Sequence, residues 1–289
     1  MIHRAASTDF PLMLRQSAIR LARQRMQHLT ELVEALRGRG PGCLGRPAAA
    51  GEPAPDTGIA DSRLRAYVPY VSTAQAHLPG VTAAVVGVVT FGVVLTEIGW
   101  RIIRHGTVMA HEGAHAVADT LLFLHVDYIE LHPDATGGTM PKNRGGCLVE
   151  VIAFFVGYIG PSSFGLGAAK LIQLGYAVTV LWLTLFLLGL LLLLLRPSYG
   201  RITVIMTGLL VFAVLRYTPV PAQVVAAYAL AWLLLLSGVR GILVRRGGSG
   251  DSQNLRRLTW IPHVIWFLIW LAAAVWAVAV GGSWLIMRA

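Results

Sequence analysis

The stretch His111-Glu112-Gly113-Ala114-His115 places three ionisable side chains within five residues of an otherwise apolar run, "TVMAHEGAHAVADTLLF". Residues i and i+4 of a helix lie one above the other, so His111 and His115 present their imidazoles on one face. Two imidazoles at that spacing can hold one metal ion, and zinc is the usual occupant for nitrogen ligands at a catalytic site. Glu112, beside the first histidine, is placed to take a proton from water attacking a carbonyl and to pass it to the leaving amine. A shuffled chain of this composition would hold a His-Glu-x-x-His match only about 0.007 times. Ionisable residues inside apolar segments are costly and usually functional, which adds weight to a metal site. The plainer reading is two histidines that hydrogen-bond to neighbouring helices.

Gly113 costs the motif helix roughly 1 kcal/mol relative to alanine, and small residues at 113 and 114 leave room for a substrate backbone or a close helix. Asp119, one turn beyond His115, is a candidate to orient that imidazole, or a polar residue facing a water-filled cavity. A catalytic zinc normally keeps three protein ligands and one open position. The metzincin extension is absent, since Ala118 and Leu121 stand where that motif needs Gly and His. After Asp134 the only carboxylates are Glu150 and Asp251. Both are candidates for the third ligand or for a supporting role, with His263, His125 and His132 as weaker ones. Asp251 could equally be the N-cap of a helix over "SQNLRRL".

The elements that must position these groups are membrane helices. The 289 residues are 55% hydrophobic and 13% charged, about half the charge of a soluble domain. Residues 171–195 carry no charge, and about 20 such residues span a bilayer as a helix. The net charge of +10 is placed beside apolar runs. Ten Lys or Arg precede residue 66 and five lie between Arg240 and Arg257, where basic residues set membrane orientation. No nucleic-acid module is present. Cys43 and Cys147 form no C-x-x-C pattern and give neither a disulfide framework nor a cysteine zinc site.

Spans are expected near 78–98, 147–169, 172–195, 202–217, 219–240 and 261–286, with the motif helix at about 107–125. The fold class is thus all-α, polytopic, with about six to seven transmembrane helices. Residues 126–146 differ, with β-favouring alternation followed by turn signals at Pro133-Asp134 and Gly137-Gly138, and they predict a short hairpin at the membrane face. Residues 1–66 form a separate arm with no cleavable signal peptide. It holds a basic amphipathic helix, with Ile19, Leu21, Met26, Leu29, Leu32, Val33 and Leu36 among arginines, and a Gly/Pro/Ala-rich linker over 38–62 that predicts disorder. The membrane domain is residues 67–289.

Together, the motif, the Gly-Gly hairpin, "GYIGPSSFG" (157–165) and the run Asp251, Leu255, Leu258-Thr259, Pro262, Trp266 resemble the site-2 protease family of intramembrane zinc metallopeptidases, in its bacterial M50B-like branch. The resemblance covers roughly residues 80–285. It implies zinc on His111 and His115, Glu112 as general base and Asp251 as third ligand. The N-x-x-P…L-D-G motif that carries the aspartate in better-known members is absent. The implied function is a zinc-dependent endopeptidase acting on membrane-protein substrates within or beside the bilayer, in a bacterial cell membrane. Pairing of an extended substrate strand with the hairpin would make Gly137 and Gly138 substrate-binding. Two other functions fit the sequence: a non-catalytic scaffold or regulator that keeps the fold, and a transporter with His111, Glu112, His115 and Asp119 as an ion path.

One geometric conflict is visible at this level. Seven full spans with a cytoplasmic N-terminus put His111 and Asp251 near opposite faces of the membrane. A motif helix that is only half-inserted puts them on the same side. The interruption "WRIIRHG" (100–106) marks the place where the span count is expected to fail.

Overall fold

The computed structural model describes residues 74–143, 145–196, 199–245 and 250–287. The basic arm, with its expected amphipathic helix and linker, lies outside them. Among the described residues eight helices and one hairpin follow in order. They are α1 (Gly80–Leu95), α2 (Glu97–Leu121), β1 (Val126–Leu131), β2 (Gly137–Pro141), α3 (Cys147–Gln173), α4 (Ala177–Leu194), α5 (Tyr199–Tyr217), α6 (Val220–Val244), α7 (Asp251–Thr259) and α8 (His263–Ile286). Five of these, α3, α4, α5, α6 and α8, are long and apolar enough to cross a membrane, and a sixth span results if α1 and α2 are taken together. The protein is therefore an all-α, multi-pass integral membrane protein, with five to six spans among the described residues against the six to seven expected from sequence.

The difference lies in α1 and α2, which meet at 98°. The corner falls at Thr96, not at the polar stretch 100–106, which is continuous helix within α2. Thr96 leaves the helical region at ψ 148°, and its hydroxyl accepts from the Gly99 amide at 3.1 Å, capping α2. Gly99 is required there, because a Cβ would fall 2.1 Å from the Val93 carbonyl oxygen. The corner also strands carbonyls that a continuous helix would satisfy, and in an apolar medium these need donors. Arg240 of α6 donates to the freed Val94 carbonyl, and also to that of Thr96, which already accepts the Trp100 amide at 3.0 Å, while its guanidinium lies over the Trp100 ring and near Glu97.

Helix α3 runs through the middle of the domain. Its neighbours include α2, α6, α7 and α8. The largest core cluster gathers Tyr228, Ala231, Trp232 and Leu235 of α6 against Ala83 of α1, Ala169 and Ile172 of α3, and Leu285 of α8. Small residues set the helix spacing, as membrane helices require. Outward faces of α1, α5 and α8 stay apolar and exposed, with Val81, Val88, Ile202, Leu210 and Trp276 among them, as a lipid-facing surface must be.

The hairpin is antiparallel, with Ile129 opposite Thr139 and Leu131 opposite Gly137. Its turn is residues 132–136, where Ala135 takes a left-handed φ of 58° and Asp134 accepts from the Thr136 amide and hydroxyl. Gly137 and Gly138 belong to β2, so the turn expected at that pair is one step too late. Ile129 and Leu131 point down onto Val108 and Met109 of α2 and onto Leu191 of α4 and Leu195 just beyond its end. The Arg196 amide donates to the Ile129 carbonyl, and its guanidinium reaches Glu130, tying the hairpin to the end of α4.

Candidate metal centre

The site forms where α2, α3 and α7 converge. His111, Glu112, Ala114 and His115 all lie on the buried side of α2. The helix is polar enough at these positions only because α3 covers them, and that cover depends on glycine. A Cβ on Gly157 would sit 2.2 Å from Nε2 of His115 and 2.8 Å from Cε1 of His111. One turn on, a Cβ on Gly160 would sit 2.4 Å from the Cβ of Ala114. "GYIG" therefore lays bare backbone against the two imidazoles. Pro161 follows inside the helix. Having no N–H, it leaves the Gly157 carbonyl without its helical donor beside the site.

Asp251 arrives from the other end of the fold. Gly250, at φ 68°, turns the chain into α7, and Asp251 is the first residue of that helix. Leu255, one turn later on the same face, is fully buried against the cluster of Tyr158, Ile242 and Trp270. Burial of Leu255 thus rotates Asp251 toward α2. No side chain caps α7, so the N-cap reading of Asp251 gives way. Its Oδ2 lies 3.0 Å from His111 Nε2 and 3.2 Å from His115 Nε2, and the two Nε2 atoms are 3.2 Å apart. Burial alone would raise the Asp251 carboxyl pKa. The hydrogen bonds and charge of His111 and His115 outweigh it and hold the group well below the usual carboxylate range.

Three ligand atoms therefore face one another in a near-equilateral triangle. Tetrahedral coordination at bond lengths of about 2.0–2.1 Å separates ligand atoms by about 3.3 Å, close to what is found. His115 Nδ1 lies 2.9 Å from the Ala153 carbonyl oxygen and can only donate to it, so in the neutral ring the Nε2 lone pair faces the triangle. This geometry could hold a metal ion, and two imidazoles with one carboxylate match the donor sets of catalytic zinc.

Glu112 is 2% exposed. One carboxylate oxygen, Oε2, accepts from the Thr139 hydroxyl at 2.8 Å. β2 packs directly on this carboxylate, since a Cβ on Gly137 would fall 2.8 Å from Oε1. Gly137 thus makes room for Glu112, whereas Gly138 pairs with Glu130 in the hairpin and does not approach the triangle. Asp119 is buried on α2. Of its two expected roles, the orienting one is filled by Ala153, whose carbonyl faces His115 Nδ1. Glu150, in the first turn of α3, and His263, at the start of α8, stand outside the triangle, as do His125 and His132.

Four contributors were missed by sequence reasoning. Ala153 acts through its backbone and leaves no side-chain signal. Thr139 could have been flagged as a hydroxyl at a strand position beside two glycines. Tyr158 meets His111 edge-on at 4.9 Å and stacks on Trp270 at 4.3 Å, and the Trp270 indole donates to the Phe155 carbonyl. This aromatic stack backs the site from the α8 side. Gly113, expected to leave room, does face open space, but Ala114 is filled by α3.

The model of the Peptidase M50B-like family matches residues 84–281 of the chain. No curated protein sequence and no solved structure matches it.

Proposed function

Because the chain belongs to the Peptidase M50B-like family, we propose that it is a zinc-dependent intramembrane endopeptidase in which His111, His115 and Asp251 hold the ion and Glu112 is the general base. Its substrates are membrane proteins, and its place is a bacterial cell membrane. The single observation that carries this reading is the triangle of Nε2, Nε2 and Oδ2 atoms, none more than 3.2 Å from another, with a buried glutamate adjacent in the chain.

The chemistry a zinc ion supplies when bound is activation of water near neutral pH and polarisation of a carbonyl. The residues of the chain supply the rest. Glu112 takes the proton from the attacking water on its carboxylate and delivers it to the departing amide nitrogen. Thr139 holds Oε2 of that carboxylate, so the base keeps one orientation. Ala153 fixes the tautomer of His115. The apolar helices around the site exclude bulk water, which strengthens each of these interactions.

The test is to purify the full chain in detergent and compare wild type with Glu112→Gln and His111→Ala for bound zinc and for cleavage of a transmembrane peptide. Near-stoichiometric zinc in wild type and Glu112→Gln, lost in His111→Ala, with cleavage only in wild type, is the expected pattern. Cleavage that survives Glu112→Gln would sink the proposed base, and an absence of zinc from wild type would sink the metal centre.

A further inference from the structure

Beside the triangle lies a cavity of about 140 Å³ whose wall includes His111, Trp100, Tyr158 and the hairpin turn Asp134–Thr136. Two arginines also line it, Arg104 of α2 and Arg245 at the end of α6. Arg104 lies seven residues before His111, on the same face of α2, with Thr107 and Val108 between them on the wall. Two turns of helix are about 10 Å, roughly the length of three residues of extended chain.

The charges on this wall do not cancel. Neither arginine makes an ion pair among the described residues. Among the described residues the only carboxylate on the wall, Asp134, is turned into its own loop and accepts the Thr136 amide and hydroxyl on Oδ1. Arg245 is fixed in place, donating to the Ala135 carbonyl at 2.9 Å on the wall it shares with Tyr158. Arg104 is different, because its Nε is buried and has no hydrogen-bond partner among the described residues. A buried charged donor left unmet is expensive. A guanidinium presents a planar fork that fits a carboxylate.

We infer that the Arg104–Arg245 cavity is a subsite for a carboxylate of the substrate, lying within about three residues of the bond to be cut. The inference rests on the peptidase reading and extends it to substrate choice. The carboxylate comes either from an Asp or Glu side chain near the cleaved bond or from the free C-terminus of a shortened substrate. A lipid phosphate is the competing occupant. The cavity is walled by His111 and the hairpin, where the peptide presented to the metal centre would lie, and this favours the peptide.

The experiment uses the full chain in detergent and labelled apolar peptides that differ at one position. One set carries a single Glu or Gln near a central Gly break; a second carries no acidic side chain and ends in a free carboxylate or an amide. Binding is read by anisotropy with Glu112→Gln, and cleavage by wild type. The Glu peptide, or the free-acid peptide if the source is a C-terminus, should be preferred over its neutral partner by about tenfold, the worth of one charge-assisted hydrogen bond. Arg104→Gln should flatten that ratio, as should Arg104→Lys, which keeps the charge and loses the fork. Metal content and thermal midpoint identify any variant that fails to fold, and the ratio within one protein is independent of its yield. Equal handling of acidic and neutral peptides by wild type overturns the inference, as does a ratio unchanged in both Arg104 variants. Arg104-dependent binding of phosphatidylglycerol with no preference between peptides assigns the cavity to lipid and also overturns it. Cleavage without preference leaves the peptidase reading standing, whereas preference in binding without any cleavage leaves the subsite standing alone.

Discussion

Asp251 Oδ2 lies 3.0 Å from His111 Nε2 although 140 residues separate them in the chain. The contact is made by two local devices: the 98° corner at Thr96 that redirects α2, and the buried Leu255 that orients α7. It also bears on the conflict in the sequence-based topology. With α1 and α2 bent into one broken element, the chain need not cross the membrane between the corner and the motif. His111 and Asp251 can then belong to the same half of the protein.

Loss of Asp251, the proposed third ligand, should be graded. Asp251→Ala should lower zinc affinity by at least tenfold and abolish cleavage. Asp251→Asn keeps the shape but not the charge and should fall between, because a neutral amide oxygen is a weaker ligand than a carboxylate. Competition with a chromogenic chelator measures both. Unchanged zinc affinity in Asp251→Ala would remove this residue from the metal centre.

Gly157 and Gly113 should respond in opposite ways to the same change. A Cβ at 157 collides with both imidazoles, whereas nothing stands within 4 Å of a Cβ at 113. Gly157→Ala should lose most of its zinc and its activity. Gly113→Ala should keep its zinc and gain up to about 1 kcal/mol from helix propensity. Zinc analysis and thermal melting of the two purified variants decide the matter, and equal behaviour counts against the packing described.

Thr139 is expected to matter for rate and not for metal. Thr139→Val removes the only side-chain donor to Glu112 Oε2 among the described residues and should reduce kcat by about ten- to a hundredfold with zinc retained. Thr139→Ser should restore most of it. A Thr139→Val enzyme with wild-type kcat would show that the hydroxyl does not hold the base.

The Thr96 corner should depend on Arg240. Arg240→Met keeps the aliphatic stem but removes the donors to the Val94 and Thr96 carbonyls. Thr96 keeps its bond from the Trp100 amide, but leaving the buried Val94 carbonyl unmet costs about 1–3 kcal/mol, which a fall in the thermal midpoint in detergent would register. An unchanged midpoint would mean that the corner is held by its cap and packing alone.

Trp270 offers a separate check on the aromatic backing. Trp270→Phe keeps a ring against Tyr158 but drops the hydrogen bond to the Phe155 carbonyl, at a cost of about 1 kcal/mol. Zinc content should hold while the melting temperature falls slightly. Loss of zinc in this variant would make the stack part of the site's positioning and not only of its stability.

Much of this molecule was written in local sequence. Hydropathy placed α3, α4, α5, α6 and α8, because a helix in lipid must be apolar over a bilayer's thickness and its backbone bonds are satisfied internally. The i, i+4 spacing put His111 and His115 on one face, since that follows from helix geometry alone. The alternation over 126–131 announced a strand. Sequence alone could not decide how the polar stretch 100–106 would be treated. Helix α2 absorbs it, and the break comes earlier, at Thr96, where the threonine hydroxyl caps the Gly99 amide, Gly99 leaves room for the turn and Arg240 of α6 donates to the freed Val94 carbonyl. Nor could sequence say that Ala153, and not Asp119, orients His115, because a backbone carbonyl carries no residue-type signal. The meeting of Asp251 with the two histidines was decided by tertiary structure. Loop and helix register between distant segments depend on which side chains find burial, and here the burial of Leu255 and the bare backbone of Gly157 bring the three groups to within 3.2 Å of one another.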